Sequence, residues 1–158
     1  MTVSSEIPGR LKEIHFQEGQ PVEKGAPLFT LDDSVYRAHL ADAEAKLKLA
    51  EQTHQRASQL FKNKYATAQA VDEATSSLAV NTATVELARV QLDKARIVAP
   101  FSGMVGLRHV SAGEYITSGQ ALVNLEAIDP VKADFRVPER FLPAIRVGQT
   151  IRIKVDAY

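Results

Sequence analysis

Two hydrophobic periods alternate along this chain, one of two residues and one of three to four. The two-residue period belongs to a Gly-punctuated unit that is written twice, 94 residues apart. Gly9, Gly19, Gly25, Leu28 and Leu31 recur as Gly103, Gly113, Gly119, Leu122 and Leu125, with His15 matched by His109 and Val22 by Ile116. Each copy runs from an apolar stretch to a Gly, a β-branched residue, a second Gly and then alternating apolar residues, which is the signature of a small β-unit. All six glycines read as structural turn positions. A unit this short cannot bury a core alone, so the two copies are expected to fold against each other as one β-sandwich related by an approximate two-fold.

Between the copies the period changes. Residues 33–96 contain neither Gly nor Pro, which argues for long helices. Apolar positions at 3–4 spacing run through Tyr36, Leu40, Ala43, Leu47, Ala50, His54, Ala57 and Phe61, then through Val71, Ala74, Leu78, Asn81, Val85, Ala88, Leu92 and Ala95. This is a heptad seam. Antiparallel pairing of Phe61 with Val71, Leu47 with Val85, Ala43 with Ala88 and Tyr36 with Ala95 holds one register, so the chain turns back near Ala66. Helices are predicted over 34–63 and 68–96, each roughly 45 Å long at 1.5 Å per residue. Asp32 and Asp33 offer the first N-cap. Lys94 and Arg96 place positive charge in the last turn, and Pro100 is the expected stop. His54 and Asn81 are the polar members of the seam and read as register-setting or edge positions.

After the second β-unit a third piece begins. Residues 131–137 alternate weakly, 138–145 read as a short helix or turn, Val147-Gly148-Gln149 as a turn, and Ile151 to Val155 alternate strictly. This is the opening of a β-barrel left incomplete. Both ends read as cut from a longer chain, and residues after Asp129 are expected to be the least ordered. The division that follows is 1–32, 33–97, 98–128 and 129–158. The fold class is mixed α and β: a sandwich split by a long antiparallel coiled-coil hairpin and followed by a partial barrel.

Composition narrows the chemistry. With 19 basic and 19 acidic residues the formal charge is zero, which gives no reason to expect nucleic acid as a partner. Absence of Cys excludes disulfides and thiolate metal sites. No run reaches the ~20 apolar residues of a membrane span. The four His residues (His15, His39, His54 and His109) form no ligand-spaced cluster, so no metal is expected. No nucleophile triad, phosphate loop or nucleotide fingerprint occurs, and neither a cofactor nor enzyme activity is expected.

The order of these segments resembles the periplasmic adaptors, or membrane fusion proteins, of Gram-negative tripartite efflux pumps, of the resistance-nodulation-division type. Gly9-Arg10-Leu11 through Gly19-Gln20-Pro21-Val22-Glu23-Lys24-Gly25 is similar to the family's first lipoyl-like half. Ala95-Arg96-Ile97-Val98-Ala99-Pro100-Phe101-Ser102-Gly103 is similar to its return segment, and Asp129-Pro130 through Gly148-Gln149 to its entry into the barrel. The resemblance implies a non-catalytic spacer in the periplasm, anchored to the inner membrane in the full-length protein. Its partners would be an inner-membrane transporter, an outer-membrane channel and further copies of itself in a ring. It also implies a tip triplet that contacts the channel, here Arg56, Leu60 and Thr67, with Thr standing for the family's Ser. Read without the family, Thr67 is a helix N-cap, Leu60 a flank of the seam and Arg56 a solvated charge.

Two alternatives share parts of this pattern. One is an adaptor of an ATP-driven exporter. The other is a lipoyl or biotinyl carrier domain, suggested by Asp93-Lys94-Ala95. There the modified Lys sits on the turn joining the two halves, whereas Lys94 follows a heptad helix.

Overall fold

The heptad and Gly patterns both materialise in the computed structural model, which describes residues 1–127, Arg136, Pro138, Arg140 and 146–150. The elements are β1 (Thr2–Ser4), β2 (Gly9–Ile14), β3 (Pro21–Val22), β4 (Pro27–Leu31), α1 (Ser34–Lys62), α2 (Ala68–Asp93), β5 (Arg96–Val98), β6 (Gly103–Arg108), β7 (Tyr115–Ile116) and β8 (Ala121–Glu126).

The strands form two four-stranded sheets, ordered β1-β8-β6-β3 and β5-β4-β2-β7. Adding or subtracting 94 converts one order into the other, so the repeat is obeyed by all eight strands, including β1 and β5. The halves do not simply face each other. Each sheet takes its two central strands from one repeat and its two edge strands from the other. The hydrogen bonds repeat as well. Gly19 N–H donates to Val105 O at 2.8 Å and Gly113 N–H to Leu11 O at 2.7 Å, while Leu31 N–H donates to Ala95 O and Leu125 N–H to Met1 O. Such interleaving means that each copy, taken alone, would lack both edge strands of its sheet.

Equivalent residues fill the core. Leu11 and Val105, Leu28 and Leu122, Phe29 and Val123, and Leu31 and Leu125 are all buried, with Ile116 among them. Each large side chain withdrawn from water contributes about 1.5–3 kcal/mol. Phe16 meets Phe29 edge-on, with centroids 5.2 Å apart.

Four of the six repeat glycines turn the chain. Gly19 and Gly113 have φ of 78° and 89°, inside turns closed by Gln20 N–H to Gln17 O and Glu114 N–H to Ser111 O. Gly25 and Gly119 repeat that geometry. Gly9 and Gly103 do not turn the chain. They open β2 and β6 in extended backbone, which corrects the reading of all six as turn residues. The predicted Val147-Gly148-Gln149 turn is present, with Gly148 at φ 87° and Gln149 N–H donating to Arg146 O. The strands expected over 131–137 and 151–155, and the order expected after Asp129, fall outside the described residues.

The helices pack along the predicted seam. Ala43, Val85 and Ala88 form its core with Leu40 and Leu47 against them, and Ala50 and Ala74 are buried nearer the tip. Small residues in alternate layers let the two backbones approach closely. Predicted ends differ at one place. α2 stops at Asp93, not Arg96, so neither Pro100 nor a basic last turn ends it. Ala95 and Ile97 join the sandwich core, and Arg96 pairs with Thr30 in β4. The boundary drawn after residue 97 therefore falls near Lys94. Pairing with β4 outweighs the helix propensity of Lys94-Ala95-Arg96.

Candidate functional site

The candidate site is the hairpin, from its root in the sandwich to its tip. At the root, Asp32 Oδ1 accepts from Ser34 N–H at 3.0 Å, and the bonds from Ser34 hold the Asp32 carboxyl below its usual range. Asp33 occupies the N-cap without a capping bond and instead pairs with Arg37. Tyr36 donates its hydroxyl to Pro8 O at 2.7 Å, and Glu6 reaches Lys94 Nζ at 2.7 Å. Burial, with the Tyr115 phenol second, raises the Tyr36 pKa. One loop, residues 5–8, thus contacts α1 and the C-cap residue of α2. Lys94, the residue a carrier domain would modify, is engaged here in an ion pair.

At the tip, α1 closes with Tyr65 N–H donating to Leu60 O and Lys64 N–H to Phe61 O. This 6→1 and 5→2 pair is a Schellman ending, which places Lys64 where Gly is usual. Lys64 has φ 64°, the only positive φ outside Gly among the described residues. A non-Gly residue there costs about 1–2 kcal/mol. Sequence reasoning missed this position, because a Lys carries no turn signal. Tyr65 beside it is 82 % exposed.

Thr67 is extended and its Oγ1 accepts from Ala70 N–H at 3.2 Å, so it is the N-cap of α2. Thr67→Ala is expected to cost about 1 kcal/mol by loss of the cap, whereas Thr67→Ser keeps it. Thermal unfolding of the two variants measures the difference, and equal midpoints would show that the cap contributes nothing. Arg56 and Leu60 lie one helical turn apart on α1, both exposed. Thr67 sits across the turn from them. Among the described residues Arg56, Lys62 and Lys64 form no ion pair, and Asp72 and Glu73 lie at the same end on α2, so the tip is partly apolar and mixed in charge, with three cations against two carboxylates. Among the described residues no group of three or more His, Cys, Asp or Glu converges as a metal site, and no helix is long and apolar enough to cross a membrane.

A sandwich interleaved from two repeats and interrupted by a helical hairpin places the hairpin tip at the far end of two long helices from a folded base. Residues 1–128 match the family described as RND MFP, barrel-sandwich hybrid domain. The chain belongs to this family, the RND-type membrane fusion or periplasmic adaptor proteins. It is 34 % identical over 173 residues to the multidrug resistance protein MdtA of Yersinia pseudotuberculosis, covering 99 % of this chain and 39 % of that protein. The chain thus spans about two fifths of the length of the curated relatives it matches. Among solved structures, a protein of Bacteroides eggerthii assigned as an efflux transporter has the same fold, with a TM-score of 0.83, 21 % identity, and coverage of 94 % of this chain and 45 % of that one. A MacA–MexA chimeric protein carrying the Pseudomonas aeruginosa MexA α-hairpin domain gives a TM-score of 0.73 at 27 % identity, over 78 % of this chain and 46 % of that one.

Proposed function

We propose that the protein containing this chain is the periplasmic adaptor of a tripartite efflux pump, anchored at the inner membrane. It links an inner-membrane transporter, of the proton-driven multidrug type, to an outer-membrane channel. The observation that carries this reading is the family match across 1–128 together with the relationship to a multidrug resistance protein. In this reading residues 1–32 and 98–128 form a lipoyl-like base, 33–97 a spacer, and 129–158 the start of a barrel. The base packs against further copies in a ring. Arg56, Leu60 and Thr67 contact the channel at the tip. The chain's role is to hold distance and present surface, with no chemical step.

The test is genetic. Deleting the gene should sensitise cells to several unrelated drugs, and the full-length protein should restore resistance. The same protein with residues 33–94 replaced by a short turn should be expressed and fail to restore it. The strand pairing of Thr30 with Arg96 makes that excision feasible, because the two ends to be joined already lie side by side. Full resistance without the hairpin would overturn the reading.

A further inference from the structure

The hairpin is joined to the sandwich by two short passages, Asp32-Asp33 before α1 and Lys94-Ala95 after α2. Among the described residues no strand packs broadly along either helix. Two adjacent passages of this kind form a hinge, about which a stiff hairpin tilts unless something restrains it. The loop 5–8 supplies a restraint, and it is itself held in the sandwich. Ser5 and Ile7 are buried. Ser5 N–H donates to Gln120 O at 3.1 Å and Gly119 N–H to Ser5 O at 2.7 Å. Ser5 Oγ donates to Ile7 O at 2.6 Å, and Ser118 Oγ to Glu6 O at 2.8 Å. The two outward groups of the loop each take one end of the hairpin. The Pro8 carbonyl accepts from Tyr36, whose side chain also packs against the sandwich core, and the Glu6 carboxylate meets Lys94. The repeat supplies an equivalent loop at 99–102, but there Pro100 stands in the place of Glu6 and has no charge to offer a helix. Elsewhere around the root a recess of about 830 Å³ lies between Glu13, His15 and Thr30 of the sandwich and Arg37 and Leu92 of the helices. No residue of the loop borders it, and it leaves room for the hairpin to tilt.

We propose that loop 5–8 is a strap that fixes the inclination of the hairpin, with Glu6 and Tyr36 as its positioning residues. An exposed ion pair holds little by itself, because water and salt screen it and two long side chains must be ordered. Here the Glu6 main chain is already fixed by the sandwich, so fewer torsions remain to be ordered. The second tie is of another kind, a hydroxyl bond from a partly buried ring in the first turn of α1. Two ties, one to each helix end, oppose a rotation that either alone would permit. The leverage is large, since a tilt of about 10° at the root carries the tip roughly 8 Å at 1.5 Å per residue along α1. What is positioned is the tip, so the bearing of the strap on docking rests on the function proposed above. The strap itself is a property of this chain's own geometry.

The test measures the inclination directly. Spin labels are placed in the full-length protein at positions 24 and 52, exposed sites on the sandwich and on α1, and labelled chains are diluted among unlabelled ones. Pulsed electron resonance then reads the distribution of distances between base and hairpin. Glu6→Ala combined with Tyr36→Phe, which keeps the ring against the core, is expected to make that distribution at least twice as broad as the parent's with unchanged helicity. Glu6→Lys alone should broaden it, and Glu6→Lys together with Lys94→Glu should narrow it again. Recovery by exchanged charges separates positioning from a general loss of stability. Equal breadth in the parent and the Glu6→Ala, Tyr36→Phe variant would overturn the strap and leave the function proposed above standing. No recovery in the exchanged pair would reject Glu6 as a positioning residue.

Discussion

Cells whose adaptor carries Arg56→Asp are expected to be as drug-sensitive as cells lacking the gene. The physical case starts from what Arg56 does not do. It is exposed on α1 and pairs with no carboxylate, so the fold does not depend on it. Asp is a poorer helix former, but the difference is below about 0.7 kcal/mol per residue. Docking is another matter. Arg56 lies at an end where Lys62 and Lys64 likewise form no ion pair among the described residues while Asp72 and Glu73 stand nearby, and in the reading proposed above the Arg56 guanidinium meets an acidic partner group. Reversing the charge inserts a like-charge contact, and losses of about 2–5 kcal/mol accompany the breaking of a docked charge pair. That is a weakening of roughly thirty-fold to several thousand-fold. Leu60→Asp, one turn away, should act similarly by placing a charge in an apolar contact. Drug susceptibility, with expression checked and helicity measured on purified protein, decides the matter. Wild-type resistance in both variants would remove the tip from the mechanism.

The second large effect is a matter of stability and exploits the repeat. Gly9 and Gly103 are equivalent in sequence, yet Ala at the two sites should behave differently. A Cβ on Gly103 would lie 2.2 Å from Glu126 O and 2.9 Å from Glu126 C, both backbone atoms of the neighbouring central strand. No rotamer relieves that clash, so β6 and β8 must separate, at a cost of about 1–3 kcal/mol or more. A Cβ on Gly9 meets Leu31 Cβ at 3.4 Å, Leu31 Cδ1 at 3.5 Å and Asp32 O at 3.9 Å, all ordinary contact. Gly9→Ala should therefore fall within about 1 kcal/mol of the parent, since it also removes backbone freedom from the unfolded chain. Gly103→Ala should lower the unfolding midpoint by several degrees at about 2–4 °C per kcal/mol. Equal midpoints for the two variants would contradict the asymmetry.

What could be read in advance depended on whether a pattern was local. The seam was legible because burial in a two-helix coil follows spacing alone. Of the predicted seam positions only Phe61, at the tip, is exposed, where the coil runs out. The 94-residue repeat was legible for the same reason and extends to β1 and β5. The end of α2 was not legible. Nothing in Lys94-Ala95-Arg96 disfavours helix, and only β4 draws those residues into a sheet. The separate roles of Gly103 and Gly113 were hidden too, because a glycine needed for close strand approach and one needed for positive φ are the same letter. Lys64 shows the converse, a left-handed residue with no glycine to mark it. For the candidate site, Thr67 was identifiable as a cap, while the contacts of Glu6 and Pro8 at the hairpin root emerged only once the sandwich was folded.

The constant register also makes the hairpin a ruler. Partners across the seam are tied in pairs, small with small and large with large, so a change of length in one helix alone would slide every layer and set large residues against small, as Leu47 against Ala88. Length can change without that penalty only by adding or removing a matched heptad from both helices. Each such step moves the tip by about 10 Å at 1.5 Å per residue. The span between base and tip is thus graduated in coarse, discrete units and cannot be tuned continuously.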